Sequence, residues 1–161
     1  MADDWDERIA ECWRRFRADE LPEDELVPAI DALARERPAD DPAAAYERAS
    51  ARDSVGIADE AEPLYRQALA GGLDERRRPQ ATIQLASTLR LVGKLDESER
   101  LLRAQLETGE MPDETRAFLA LTLTEAGRPQ EAVSHALTAL APHLSRYQRS
   151  VAAYAADLAS S

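Results

Sequence analysis

The sequence has 161 residues, 44% hydrophobic and 32% charged, which is enough apolar side chain for one domain to bury a continuous core. Only six glycines and eight aromatics occur, against an excess of Ala, Leu, Glu and Arg, so an all-α fold is expected. The net charge of −11 argues against nucleic acid, because phosphate binding needs a basic face and the one dense basic run, Arg76-Arg77-Arg78, is short and follows Asp74 and Glu75. A lone Cys12 has no partner for an internal disulfide. With no signal-peptide pattern and no apolar run long enough to cross a membrane, a cytoplasmic protein without a membrane partner is expected.

The acidity is concentrated at the front, where residues 1–41 hold fourteen Asp and Glu against six Arg. Trp5, Ile9, Cys12, Trp13 and Phe16 fall on one face of a helix from about Asp4 to Ala18, and a second helix is expected from about Pro22 to Arg37. Burying each large aromatic contributes about 2–3 kcal/mol, so this face will leave water. It either caps the protein's own second helix or docks on a partner or a second copy.

The next three segments repeat one another. Ile83-Gln-Leu85-Ala86-Ser-Thr-Leu89 through Gly93 to Ser98 superimposes without a gap on Ala117-Phe-Leu119-Ala120-Leu-Thr-Leu123 through Gly127 to Ala132, at an offset of 34. Such a period signals a two-helix unit that cannot bury its apolar face alone. Gly93 and Gly127 suit a left-handed reversal between the helices. Ala86, Ala120, Ser98 and Ala132 supply small residues where they cross. An upstream copy runs from Tyr46 through Ala49, Gly56 and Ala61 to Leu69, three residues further off, with the insertion assigned to Gly71-Gly72-Leu73-Asp74. It departs from the pattern, since Arg48 and Arg52 stand where Leu85 and Leu89 stand later and Pro63 should bend its second helix. Arg48, Arg52 and Asp53 form either a structural ion-pair network or a recognition patch. A final helix carries Tyr147, Val151, Tyr154 and Leu158 at one-face spacing. Nine helices result, organised as a single domain over 1–161: capping helices in 1–40, three helix pairs in 41–142 and a capping helix in 143–161.

The stretches Tyr46-Glu-Arg-Ala-Ser-Ala-Arg-Asp-Ser, Ala61-Glu-Pro-Leu-Tyr-Arg-Gln-Ala-Leu and Ile83-Gln-Leu-Ala-Ser-Thr-Leu-Arg resemble the tetratricopeptide repeat family. From Asp41 to Leu158 the chain is similar to the short bacterial proteins classed as its group five. The resemblance implies a right-handed α-solenoid of antiparallel helix pairs whose concave groove, walled mainly by first helices, holds a peptide or protein partner. On that wall it puts Tyr46, Glu47, Ser50 and Asp53 from the first unit, Ile83, Gln84, Ser87 and Arg90 from the second, and Phe118 and Leu121 from the third. Chaperone-binding relatives clamp a terminal carboxylate with Lys and Asn. Here no Asn exists and the single Lys94 falls in a turn, so that ligand class is not expected.

No constellation points to catalysis, a cofactor or a metal. His135 and His143 are eight apart across Pro142, without the spacing that puts two ligands on one helical face. Cys12 lies in a core-type stripe with no orienting base in view, and Gly71-Gly72 does not open a phosphate loop. The expected function is a non-catalytic protein-interaction module. The alternative is a self-assembling structural protein that uses exposed apolar end helices for homo-oligomerisation, a homodimer through one end helix being the simplest case.

Overall fold

The computed structural model describes residues 4–160. The outermost residues of the expected caps, 1–3 and 161, lie outside the described residues. Among the described residues there are nine α-helices, one 3-10 turn and no strand: α1 (Asp4–Arg17), α2 (Glu23–Ala34), α3 (Pro42–Ser54), α4 (Ala58–Ala70), α5 (Arg78–Leu91), α6 (Leu95–Thr108), α7 (Pro112–Glu125), α8 (Pro129–Leu140), the turn Ala141–His143, and α9 (Gln148–Ala159). The fold is all-α and built of antiparallel helix pairs, as the repeat predicts. It divides into two compact units between Ala81 and Thr82.

The glycine turns carry the repeat into the backbone. Gly93 (φ +80°) and Gly127 (φ +76°) adopt the left-handed conformation that costs a side chain strain, and Gly56 does the same in the divergent copy. At each turn the amide after the glycine donates back five residues, Ile57 to the Arg52 carbonyl, Lys94 to Leu89 and Arg128 to Leu123, which closes the helix and reverses the chain.

In the first unit α1 packs on α2, α2 on α3 and α3 on α4. Its core gathers Trp5, Ile9 and Cys12 with Leu21, Leu26, Ile30 and Ala34, and Trp13 and Phe16 pack against it. The Trp5 indole donates to the Leu33 carbonyl at 2.8 Å, so the aromatic face of α1 caps the protein's own second helix. Helix α4 runs unbroken through Pro63, which faces solvent. The insertion lies where expected, in the loop after Ala70, where Gly72 is left-handed and Leu73 is buried.

In the second unit α6 packs on α7, α7 on α8 and α8 on α9. Ile83, Ala86, Leu102, Leu119, Ala120, Leu123 and Ala132 form its core. Ser98 is fully buried, donates to the Ala86 carbonyl at 2.7 Å and meets the Thr122 hydroxyl at 3.0 Å, so the small residue at the crossing also uses its hydroxyl. The inward face of α9 is Val151, Ala155 and Leu158, with Ala155 buried under the Ser134 hydroxyl. Tyr154 stays outside, because Ala155 is the residue one turn on from Val151 and the backbone of α8 can approach only a small side chain there.

Candidate functional site

In the first unit the first helix of the repeat, α3, presents a polar strip that is internally satisfied. Tyr46 is half-buried, its ring tilted against Tyr65 and its hydroxyl donating to Gln80 Oε1 at 3.0 Å. The Tyr65 hydroxyl reaches Ser50 Oγ at 3.4 Å and the Asp53 carboxylate at 3.3 Å. Burial pushes the Tyr65 phenol far up, with the Asp53 charge adding to it, so that it stays neutral and can donate to the Asp53 carboxylate. Glu47, placed on the wall by the resemblance, is 5% exposed. Its carboxylate accepts from the Trp13 indole at 2.8 Å and from Arg77 Nε at 3.4 Å, and Arg77 also pairs with Asp74 and Asp6. Burial holds the Glu47 carboxyl above its ordinary range, against the Trp13 and Arg77 donors that favour the anion. Trp13 and Arg77 are not legible in the sequence as partners of Glu47 because they stand 34 and 30 residues from it, and Asp6 stands 71 residues from Arg77, with no helical spacing to link them.

Arg48 and Arg52 form the structural network. Arg52 grips Asp31 of α2 with two parallel bonds, at 3.0 and 2.9 Å, and donates through Nε to Glu60 of α4 at 3.0 Å. Arg48 adds a bond to Asp31 at 3.2 Å. Two arginines thus occupy the positions of core leucines because a carboxylate from the preceding helix meets them. Burial would raise the Asp31 pKa, but the Arg52 and Arg48 guanidiniums outweigh it and hold the carboxyl below its ordinary value.

In the second unit the first-helix residues are Ile83, Gln84, Ser87 and Arg90 on α5 and Phe118 and Leu121 on α7. Ile83 and Ser87 are buried, Ile83 inside the core cluster. Gln84 is half-exposed, Phe118 packs one side on the core, and Leu121 is 49% exposed. Arg90 pairs with Glu125, tying the ends of α5 and α7. This surface therefore carries apolar side chains at its middle and an ion pair at one end.

The second helices carry a further network that sequence reading missed, linking Glu99 and Arg103 of α6 to Arg128 and Glu131. Its local half was legible as Glu99 and Arg103 one turn apart. His135 stands 4.0 Å from Glu131, and burial pushes its pKa down, with nearby Arg103 acting in the same direction. His143 meets Asp113 at 2.9 Å. Burial pushes the Cys12 thiol up, away from nucleophilic character. Among the described residues no three His, Cys, Asp or Glu side chains come together to hold a metal, and no helix is long and apolar enough to cross a membrane.

Comparison with known proteins agrees with this architecture. A family model described as tetratrico peptide repeat matches residues 42–158. Two similar solved structures are the MamA RS-1 ArsTM double mutant, at 14% identity and a TM-score of 0.62 over 98% of this chain and 96% of that one, and MamA 41-end from Desulfovibrio magneticus RS-1, at 15% identity and a TM-score of 0.64 over 98% and 94%. At such identities the likeness is one of fold. No curated protein matches the chain.

Proposed function

Because the chain belongs to the tetratrico peptide repeat family, we propose that it is a non-catalytic protein-interaction module, of the short bacterial group-five kind and cytoplasmic, that holds a peptide or protein segment on its first-helix surfaces. In the second unit Phe118 and Leu121 are the apolar anchors, and Gln84 and Arg90 set the register of the bound segment. Ile83 and Ser87 support that surface from beneath. In the first unit Tyr46, Ser50 and Asp53 offer a polar strip to the partner, with Glu47 fixing α3 from within. No cofactor, metal or nucleic acid takes part. The observation that carries this reading is the exposure of Leu121 beside half-buried Phe118 on a helix whose Leu119, Ala120 and Leu123 are consumed by the core.

Affinity purification from the native host tests it: the partner recovered with the wild-type chain should be depleted when Phe118 and Arg90 are both replaced by alanine. Undiminished recovery would move the site elsewhere.

A second reading, self-assembly through an end helix, draws on the C-terminal region, where Tyr147 is 75% exposed and Tyr154, Val133 and Leu140 are also uncovered. The α1 face, by contrast, is spent on its own core. Light scattering over a concentration series separates the two readings, since only this one requires mass to rise with concentration.

A further inference from the structure

One cavity of the first unit lies apart from the first-helix binding surfaces and borders the Asp31–Arg48 pair. It has a volume of about 310 Å³ and lies where the end of α2 and the following loop meet the first turns of α3. Its charged lining is Arg35, Arg37 and Arg48 against one carboxylate, Asp31, an excess of two positive charges in a chain of net charge −11. Ala44 and Ala45 contribute methyl groups to the wall.

Each charged group has a definite state. Both Asp31 oxygens are engaged by Arg52, which does not line the cavity, and one of them by Arg48, which does, so the carboxylate is largely neutralised. Arg37 is stacked over the Trp5 ring, 4.7 Å from its centroid, and its Nη1 lies 4.0 Å from the Asp41 carboxylate, which together fix where its guanidinium stands. Arg35, the C-cap of α2, is exposed and makes no side-chain hydrogen bond or ion pair among the described residues. Three carbonyls of the last α2 turn, which would repel an anion, already accept hydrogen bonds: Asp31 from the Arg35 amide, Ala34 from the Arg37 amide and Leu33 from the Trp5 indole.

We propose that this cavity binds a phosphomonoester, its dianion held by Arg35, Arg37 and Arg48. Guanidinium forks match phosphate oxygens in pairs, and three guanidiniums lining one cavity suit a dianion better than a lone carboxylate. The volume exceeds what a bare ion needs and falls at the lower end for small-ligand sites, leaving room for the group that carries the phosphate. This site is independent of the partner-binding surface proposed above, since it shares no residue with it.

The test is a titration of the full chain with inorganic phosphate, followed by backbone amide NMR, at ionic strength held constant with sodium chloride. Saturable shifts should centre on Ala34, Ala39, Ala44 and Ala45. Arg35→Gln, which breaks no contact of the fold, should weaken binding by about fivefold to tenfold, the loss of one charged hydrogen-bonding group. Arg17→Gln removes the same charge from an exposed site elsewhere on the unit and should leave affinity within about twofold, since a distant exposed charge is largely screened. Two further arms, a phosphoserine peptide with neutral flanks and a sugar phosphate, identify the source of the phosphate by whichever binds tighter. Equal shifts with chloride, acetate binding as well as phosphate, or equal weakening by Arg17→Gln would each overturn the assignment.

Discussion

The two units anchor equivalent first helices by opposite means. In the second, Leu119 and Leu123 of α7 are fully buried in an apolar core. In the first, the same repeat positions are Arg48 and Arg52 of α3, bonded to Asp31 and Glu60. Apolar packing is tolerant of direction, whereas a bidentate arginine and carboxylate fix one helix against another at a single register. The first unit gains specificity at the cost of desolvating charges, and the second gains stability and keeps apolar side chains in reserve for its surface.

Four measurements can break or sharpen that contrast. The largest effect should come from Leu123→Ala, expected to lower unfolding free energy by about 3 kcal/mol through lost burial and a cavity, read by denaturant melts. Asp31→Asn should cost somewhat less, about 2 kcal/mol, because it leaves the nearly buried Arg52 with only Glu60. Replacing Asp31 and Arg52 together with leucine should fall within about 1 kcal/mol of the wild type, since the charges that lose a partner, Arg48 and Glu60, are exposed enough to be solvated. A double mutant as damaged as Asp31→Asn would show that the network does more than hold register.

The smallest effect is a pH dependence of opposite sign at two carboxylates. Asp31 has its folded pKa depressed, so its contribution is complete above its unfolded pKa and is lost as pH falls below about 4. Glu47 has its folded pKa raised, so its ionisation costs stability as pH rises from about 4.5 through the folded value. Melts of wild type against Asp31→Asn should therefore converge in acid. Any advantage of Glu47→Gln over wild type should likewise shrink as pH falls from neutral.

Most of the helix plan was legible because a repeat doubles every local signal: Gly93 and Gly127 mark the same turn, and Leu85, Leu89, Leu119 and Leu123 the same stripe. What was not legible depends on side chains meeting from distant segments. Asp31 lies 17 and 21 residues before the arginines that it neutralises, and nothing in its own stretch announces that role. Glu47 reads as a wall residue by position and is instead drawn inward by Trp13 and Arg77. Ile83 likewise occupies a wall position, but its bulk is taken up by the core. Phe118 stays half-buried and Leu121 about half exposed, since Leu119, Ala120 and Leu123 are the residues that α7 turns to the core.

On the proposed function, the α5–α7 surface of the second unit, and not the self-satisfied strip of the first, is expected to supply the binding energy. Isothermal titration of the recovered partner against Phe118→Ala/Leu121→Ala and against Tyr46→Ala/Ser50→Ala tests it directly. The account predicts a loss of about tenfold or more for the first pair and less than about twofold for the second. Equal losses, or a loss confined to the Tyr46 pair, would contradict it.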